Sequence, residues 1–378
     1  QWLPEAGSEE ANRLNKDIAR HVKARFCLNE GTHYKYHDEL EYASEAEKWL
    51  QMAATESDKL ITSGRYEIYN TGHPQEDYFN MYRIDDKSDL KEAVLYVDYK
   101  TNIREHNMAA AGREAGCGFS KSFVESFLCS DGLPISLSNK YLGDETMRKE
   151  TANRDPRLKQ LILTNDFPTN VTDDLKDSTF VVNEDEFITQ HCFTGYRPIK
   201  GFNPIYSQAL YMKSSFDGIA YRYAETLLIN AEAKAELNTI TNADLDRTVN
   251  QLRDRVGMPH LTVNVGFTDP KWPDWGYSLS PVLQEIRRER CIELAGEGFR
   301  FNDLKRWKAG KLLNNVLTYV GKRKPDGNLA IVYPNYTNPD LSYQAGKSRT
   351  WEDKMYLYPI PTGELQRNPQ LLPQNPGW

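Results

Sequence analysis

Apolar residues near the start of the chain recur at helical spacing. Leu14, Ile18, Val22 and Phe26 fall every fourth residue, which predicts an amphipathic helix from Ala11 to about Glu30, ended by Gly31. A second apolar set, Ala46, Trp49, Leu50, Ala53, Ala54 and Leu60, predicts a helix from about Ser44 to Thr62 with Gly64 as its stop. Together they form a helical hairpin over about 11–63. Between about 66 and 215 the period fades into short mixed runs such as Val94–Val97 and Phe180–Val182, punctuated by Gly, Pro, Asn and Asp. That stretch is too long for one loop, so short helices and strand pairs are expected in it.

The helical period returns at Asp217–Leu237, where Ala220, Ala224, Leu227, Leu228, Ala231 and Ala235 make a stripe narrow enough for a close neighbour. Thr241 or Asn242 caps its partner, which runs through Leu245, Val249 and Leu252 to Val256 and closes a second pair over 217–257. Ser280, with Pro281 at the first helical position, opens a third pair over 280–314. From Lys324 onward the texture changes: eight of the 19 prolines lie in residues 325–378, which predicts an irregular tail over 324–378. Repeated helix pairs of about 34 residues are the signature of tetratricopeptide-like arrays. The expected fold is mainly α: one domain over 1–378, with tetratricopeptide-like helix pairs as scaffold and an irregular, loop-rich region carrying short strands.

Composition narrows the function. Forty-seven Lys and Arg against 54 Asp and Glu give a net charge of -7, with the basic residues scattered, so nucleic acid is not an expected partner. Apolar runs are only a few residues long, and no bilayer-crossing segment is expected. Cys27, Cys117, Cys129, Cys192 and Cys291 show no zinc-like spacing and read as mostly buried thiols.

Several groups of residues invite a chemical reading. His33 and His37 stand at i, i+4, but no third metal ligand follows from the sequence. The acidic stretch Asp166–Asp177 lacks the Gly and final Glu of a calcium loop. No metal and no cofactor are expected. In the charge-dense segment 285–306, Arg290, Glu293 and Glu297 share a helical face and can pair with each other, or with Arg300 and Asp303 on the next helix. That is the geometry of a scaffold, and no catalytic residue is assigned.

Candidate ligand-binding residues lie in loops. In Thr268–Tyr277, prolines flank Trp272 and Trp275, so these rings and Tyr277 can form a rigid platform for the apolar face of a sugar, with Asp274 beside them for its hydroxyls. The alternative is that the rings pin the loop onto the helices. Arg104 and Asn107, in a polar segment over 98–119, and Tyr141, after the turn Asp131–Ile135, are further candidates.

Four ordered stretches carry a family resemblance. They are Cys129-Ser-Asp-Gly-Leu-Pro-Ile135 with Asn153-Arg-Asp-Pro-Arg157; Tyr221-Arg-Tyr-Ala-Glu-Thr-Leu-Leu-Ile-Asn-Ala-Glu-Ala; the run from Ser280 to Trp307; and the ending from Tyr358-Pro-Ile-Pro to Asn375-Pro-Gly-Trp378. The chain resembles the SusD/RagB family, surface lipoproteins of Bacteroidetes that capture nutrients. The resemblance implies non-catalytic binding of an oligosaccharide, or in some members a peptide, in concert with a SusC-like TonB-dependent outer-membrane transporter. It also implies a lipid anchor at the outer face of the outer membrane. Relative to that family pattern, the chain is expected to lack the usual N-terminal part. The family fixes no set of ligand residues, so the site assignments rest on the residues themselves.

Overall fold

A computed structural model of the chain describes residues 3–7, 12–108, 118–165, 167, 187–188, 192–331 and 349–378. Residues 166 and 168–177 of the acidic stretch, the Phe180–Val182 run and Cys117 lie outside them. The first pair is α1 (Lys16–Tyr36) and α2 (Ala46–Thr62). Asn15 caps α1 by accepting from the amides of Asp17 and Ile18. Gly31 does not end this helix. It sits inside it, where an added Cβ would come within 2.9 Å of the Leu50 amide nitrogen, so glycine is what lets α1 and α2 approach.

The buried face of α1 also differs from the expected stripe. It comprises Ile18, His21, Ala24, Cys27, Leu28, Gly31 and Thr32, whereas Leu14, Val22 and Phe26 are 63%, 40% and 55% exposed. Residues spaced by four advance about 40° around a helix at each step, so the stripe winds away from the core. His21 takes an inward place because both of its ring nitrogens have hydrogen-bond partners, Nδ1 with the Thr226 hydroxyl and Nε2 with the Glu225 carboxylate, each at 2.9 Å.

The middle region holds α3 (Asp77–Tyr82), β1 (Ala93–Val97), α4 (Lys121–Ser126), α5 (Met147–Thr151), α6 (Arg157–Leu161) and α7 (Tyr206–Ala209). It has a core of its own: Tyr78, Phe127, Leu158, Leu161, Ile162, Phe187 and Tyr196 are all buried and pack toward Ile292 and Ala295. β1 pairs antiparallel with β2 (Gly218–Arg222), Val97 opposite Gly218, and so ties this region to the helices. The helix expected from Asp217 therefore starts later, as α8 (Tyr223–Glu236), because the preceding five residues are paired as a strand.

A capping box at Thr241 and Asp244 starts α9 (Asn242–Asp246), which continues as α10 (Val249–Arg255). Ser280 caps α11 (Pro281–Glu293), and α12 (Arg300–Arg306) is its partner. The tail adds the hairpin β3 (Val320–Arg323) and β4 (Leu329–Ile331), then α13 (Thr362–Arg367). Small residues line the seam between α1, α2 and α8, where Ala24, Ala53, Ala54 and Ala233 are buried beside Leu28, Leu50 and Ile229. Among the described residues, no helix is long and apolar enough to cross a membrane.

The Gly31 contact yields a prediction. Gly31→Val inserts a branched side chain against the Leu50 backbone and should cost about 1–3 kcal/mol by overpacking, read as a lower midpoint in urea unfolding with an unchanged slope. An unchanged midpoint would contradict the close approach.

Candidate functional site

The charged run on α11 and α12 forms an interior ion network. Glu293 has no exposed surface and receives Nη1 of Arg222 at 2.6 Å, Nη2 of Arg255 at 2.6 Å and Nη1 of Arg157 at 2.9 Å. Glu297 receives Nε of Arg222 at 2.9 Å and Nζ of Lys200 at 2.6 Å. Asp303 is shared by Nε of Arg290 and Nε of Arg306, both at 2.9 Å. Arg300, expected in this network, is exposed and stands outside it. Burial alone would raise the Glu293 carboxyl, but the three guanidiniums overcome it and hold the group well below the usual carboxylate range. Glu297 is also lowered, by Arg222 and Lys200 against burial, while burial brings Lys200 down to about 8. These carboxylates have no proton to give, and their lone pairs are already committed to donors.

The Trp loop is pinned to this scaffold. Trp275 is 6% exposed, with its ring edge-on to Trp307 at 5.5 Å between centroids and its Nε1 donating to Gln284 at 2.6 Å. Tyr277 stacks on Tyr36 at 4.3 Å and donates its hydroxyl to the Trp307 carbonyl at 2.5 Å. Trp272 is half-buried, and its indole nitrogen donates to Glu285 at 2.7 Å. Asp274 is exposed and accepts from the Gly276 amide at 2.9 Å. The geometry is that of the packing alternative: the faces of Trp275 and Tyr277 are turned to their own protein.

Arg104 and Asn107 lie on a different surface. The Arg104 guanidinium sits 5.0 Å over the Tyr99 ring, and the Asn107 side-chain oxygen accepts from the Met212 amide at 3.0 Å. His106 Nε2 meets the Phe216 carbonyl at 2.9 Å, which fastens 99–108 to 206–216. This strip displays rings that the sequence reading did not single out: Tyr206 and Tyr211 are 59% and 71% exposed, beside Met212. Two tyrosines with polar neighbours directly before β2 were the available signal. Tyr141 is apart from the strip, half-buried beneath the Arg154 guanidinium at 5.3 Å, and burial raises its hydroxyl to about 12.

Next to the strip opens a groove of about 1160 Å³ between α1, β2 and the turn joining α11 to α12. Met108, the neighbour of Asn107, lines it, as do Val22, Phe26, Ile219 and Phe299. Its length follows α1 from Val22 to His33, three turns, or roughly 16 Å at 1.5 Å per residue. Its polar wall includes Glu297, whose side chain is 21% exposed, and the Arg25–Glu225 pair. Hydrogen bonding and charge from His21 and Arg25 outweigh burial and bring Glu225 to about 2. His33 and His37 stack at 4.0 Å, and His37 is engaged through Glu39 and the Lys305 carbonyl. Burial, with the nearby His37 and Lys305, lowers His33 to about 4, which keeps it neutral.

A scaffold of helix pairs thus carries a large groove with exposed rings at its edge. The SusD family model matches residues 55–378, and the chain belongs to that family. A stretch of 166 residues is 33% identical to SusD-like protein P2 of Formosa agariphila, covering 44% of this chain and 27% of that relative. Two solved structures from Bacteroides fragilis share the fold. A SusD-like protein matches with TM-score 0.65 at 24% identity, over 100% of this chain and 68% of the other. A SusD-like carbohydrate-binding protein matches with TM-score 0.64 at 22% identity, over 98% and 67%.

Glu293→Ala leaves three buried guanidiniums short of a partner and should cost about 3–5 kcal/mol, measured as a fall in unfolding free energy with no new enzymatic phenotype. The lowered carboxyls also set an acid limit. Glu225, near 2 in the folded chain, contributes stability that is present above about 4.5 and is lost as pH falls toward 2. His33, depressed to about 4, removes stability earlier, as pH falls below 6.5 and the unfolded chain takes up the proton first. Thermal melts between pH 7 and 3 should show a monotonic decline in midpoint; a flat profile would contradict the ion network.

Proposed function

We propose that this protein captures an oligosaccharide without breaking its bonds, at the outer face of the outer membrane, and delivers it to a SusC-like TonB-dependent transporter. The lipid anchor typical of the family would hold it there. The observation that carries the reading is the groove of about 1160 Å³, which pairs aromatic and aliphatic walls with polar side chains. Drug-sized pockets run to about 1,000 Å³, so a chain of sugars is a suitable occupant. A sugar ring has an apolar C–H face that packs on Phe26 or Tyr211, while its hydroxyls find Asn29, Asn302 and the neighbouring Asn107. Family membership supports the reading, as does the carbohydrate-binding relative from Bacteroides fragilis.

A glycosidase needs one protonated carboxyl as acid and a second as base or nucleophile. Glu297 does face the groove, but Arg222 and Lys200 hold it ionised and occupied. This favours capture over cleavage.

Affinity electrophoresis against a panel of polysaccharides tests the proposal: at least one should retard the protein. Phe26→Ala and Tyr211→Ala should each weaken binding by roughly 5- to 100-fold if a sugar stacks on the ring, taking about 1–3 kcal/mol per stacked ring. Binding of peptides with no retardation by any glycan would replace this reading with that of a peptide-binding family member.

A further inference from the structure

The His33 end of the groove has cationic side chains with unused hydrogen-bonding capacity. Arg290 lines the groove and is 3% exposed. Its Nε donates to Asp303 and lies 3.8 Å from a Glu232 carboxylate oxygen, and its guanidinium lies 5.2 Å over the Phe299 ring, but its buried Nη1 has no hydrogen-bond partner among the described residues. Arg306 takes the nearby acceptors: it donates to Asp303 at 2.9 Å, to Thr32 at 3.0 Å and to Glu232 at 2.8 Å. A buried N–H on a charged group costs free energy when it is left without an acceptor.

Lys305 adds a second cation to the same wall. Its Nζ lies 4.0 Å from the Tyr358 ring centroid, and no ion pair engages it among the described residues. Asn302, one helical turn before Lys305 on α12, also lines the groove and is exposed. A lysine with no ion pair among the described residues, an arginine with one unpartnered N–H and an amide, partly withdrawn from water, form a receptor for an anion.

Resting on the glycan reading above, we infer that this end of the groove takes the anionic substituent of an acidic glycan, a carboxylate or a sulfate ester. Guanidinium and ammonium groups complement either one, and their partial burial strengthens the attraction relative to that of surface lysines. The rest of the groove, with Phe26 and Ile219, receives the uncharged part of the chain.

The test is calorimetric titration of the whole chain with three sets of oligosaccharides: neutral glucans, polygalacturonate fragments and sulfated galactan fragments. One acidic set should bind at least tenfold tighter than the neutral set in dilute buffer, and that margin should shrink as salt rises. Whichever acidic set wins identifies the group as carboxylate or sulfate. Lys305→Gln should remove most of the margin between the acidic and neutral sets. Arg290→Gln also deprives Asp303 of a partner, so it is read only alongside Lys305→Gln and after circular dichroism shows a native helix content. Equal affinity for acidic and neutral sets overturns the inference and leaves the glycan reading in place. A margin that survives both substitutions overturns the location. No binding to any glycan overturns both.

Discussion

The carboxylate of Glu293 is the point on which the architecture turns. Three guanidiniums, carried by α6, β2 and α10, converge on one side chain of α11. Each charge would be costly in the interior by itself, and together they require that four separate parts of the chain arrive in one register. The middle region joins the helical scaffold through Arg157, and the β1–β2 pair joins it through Arg222, which also reaches Glu92 at 3.0 Å. The network therefore explains how a region with little regular structure is held in a fixed position against helices far away in sequence.

That rigidity positions the groove. Arg222 and Lys200 hold Glu297 at the groove wall, and the turn after α11 places Phe299 beneath the guanidiniums of Arg25 and Arg290, at 5.1 and 5.2 Å. The same segment that reads as a dense charge run is thus structural on its inner side and lines the groove on its outer side. Other groove-lining side chains, such as Phe26, Asn302 and Lys305, take no part in that network, and the proposed function gives the ligand contacts to them.

Much of the scaffold was legible because helix signals are local. The Ser280 cap with Pro281, a cap at Thr241 or Asn242 and the small-residue stripe of α8 each follow from a few neighbouring residues. Where the sequence reading differed from the structure, the deciding contact came from far along the chain. Gly31 reads as a helix stop until Leu50 is placed beside it, and Ala220 reads as helical until β1 pairs with its segment. The site was harder for the same reason. Trp275 and Tyr277 have the residue types of a sugar platform, yet Trp307 and Tyr36 are what meet them. Tyr211 looks unremarkable in sequence and is 71% exposed because 99–108 supports the loop that carries it.

The acidic residues of α11 and the following turn hold the protein together, and under the proposed function the groove binds a glycan intact. The most direct measurement is to incubate the protein with an oligosaccharide that it demonstrably binds and assay for new reducing ends. The account predicts saturable binding with no reducing ends above the protein-free control. Release of reducing ends that disappears in Glu297→Gln, with binding retained, would contradict it.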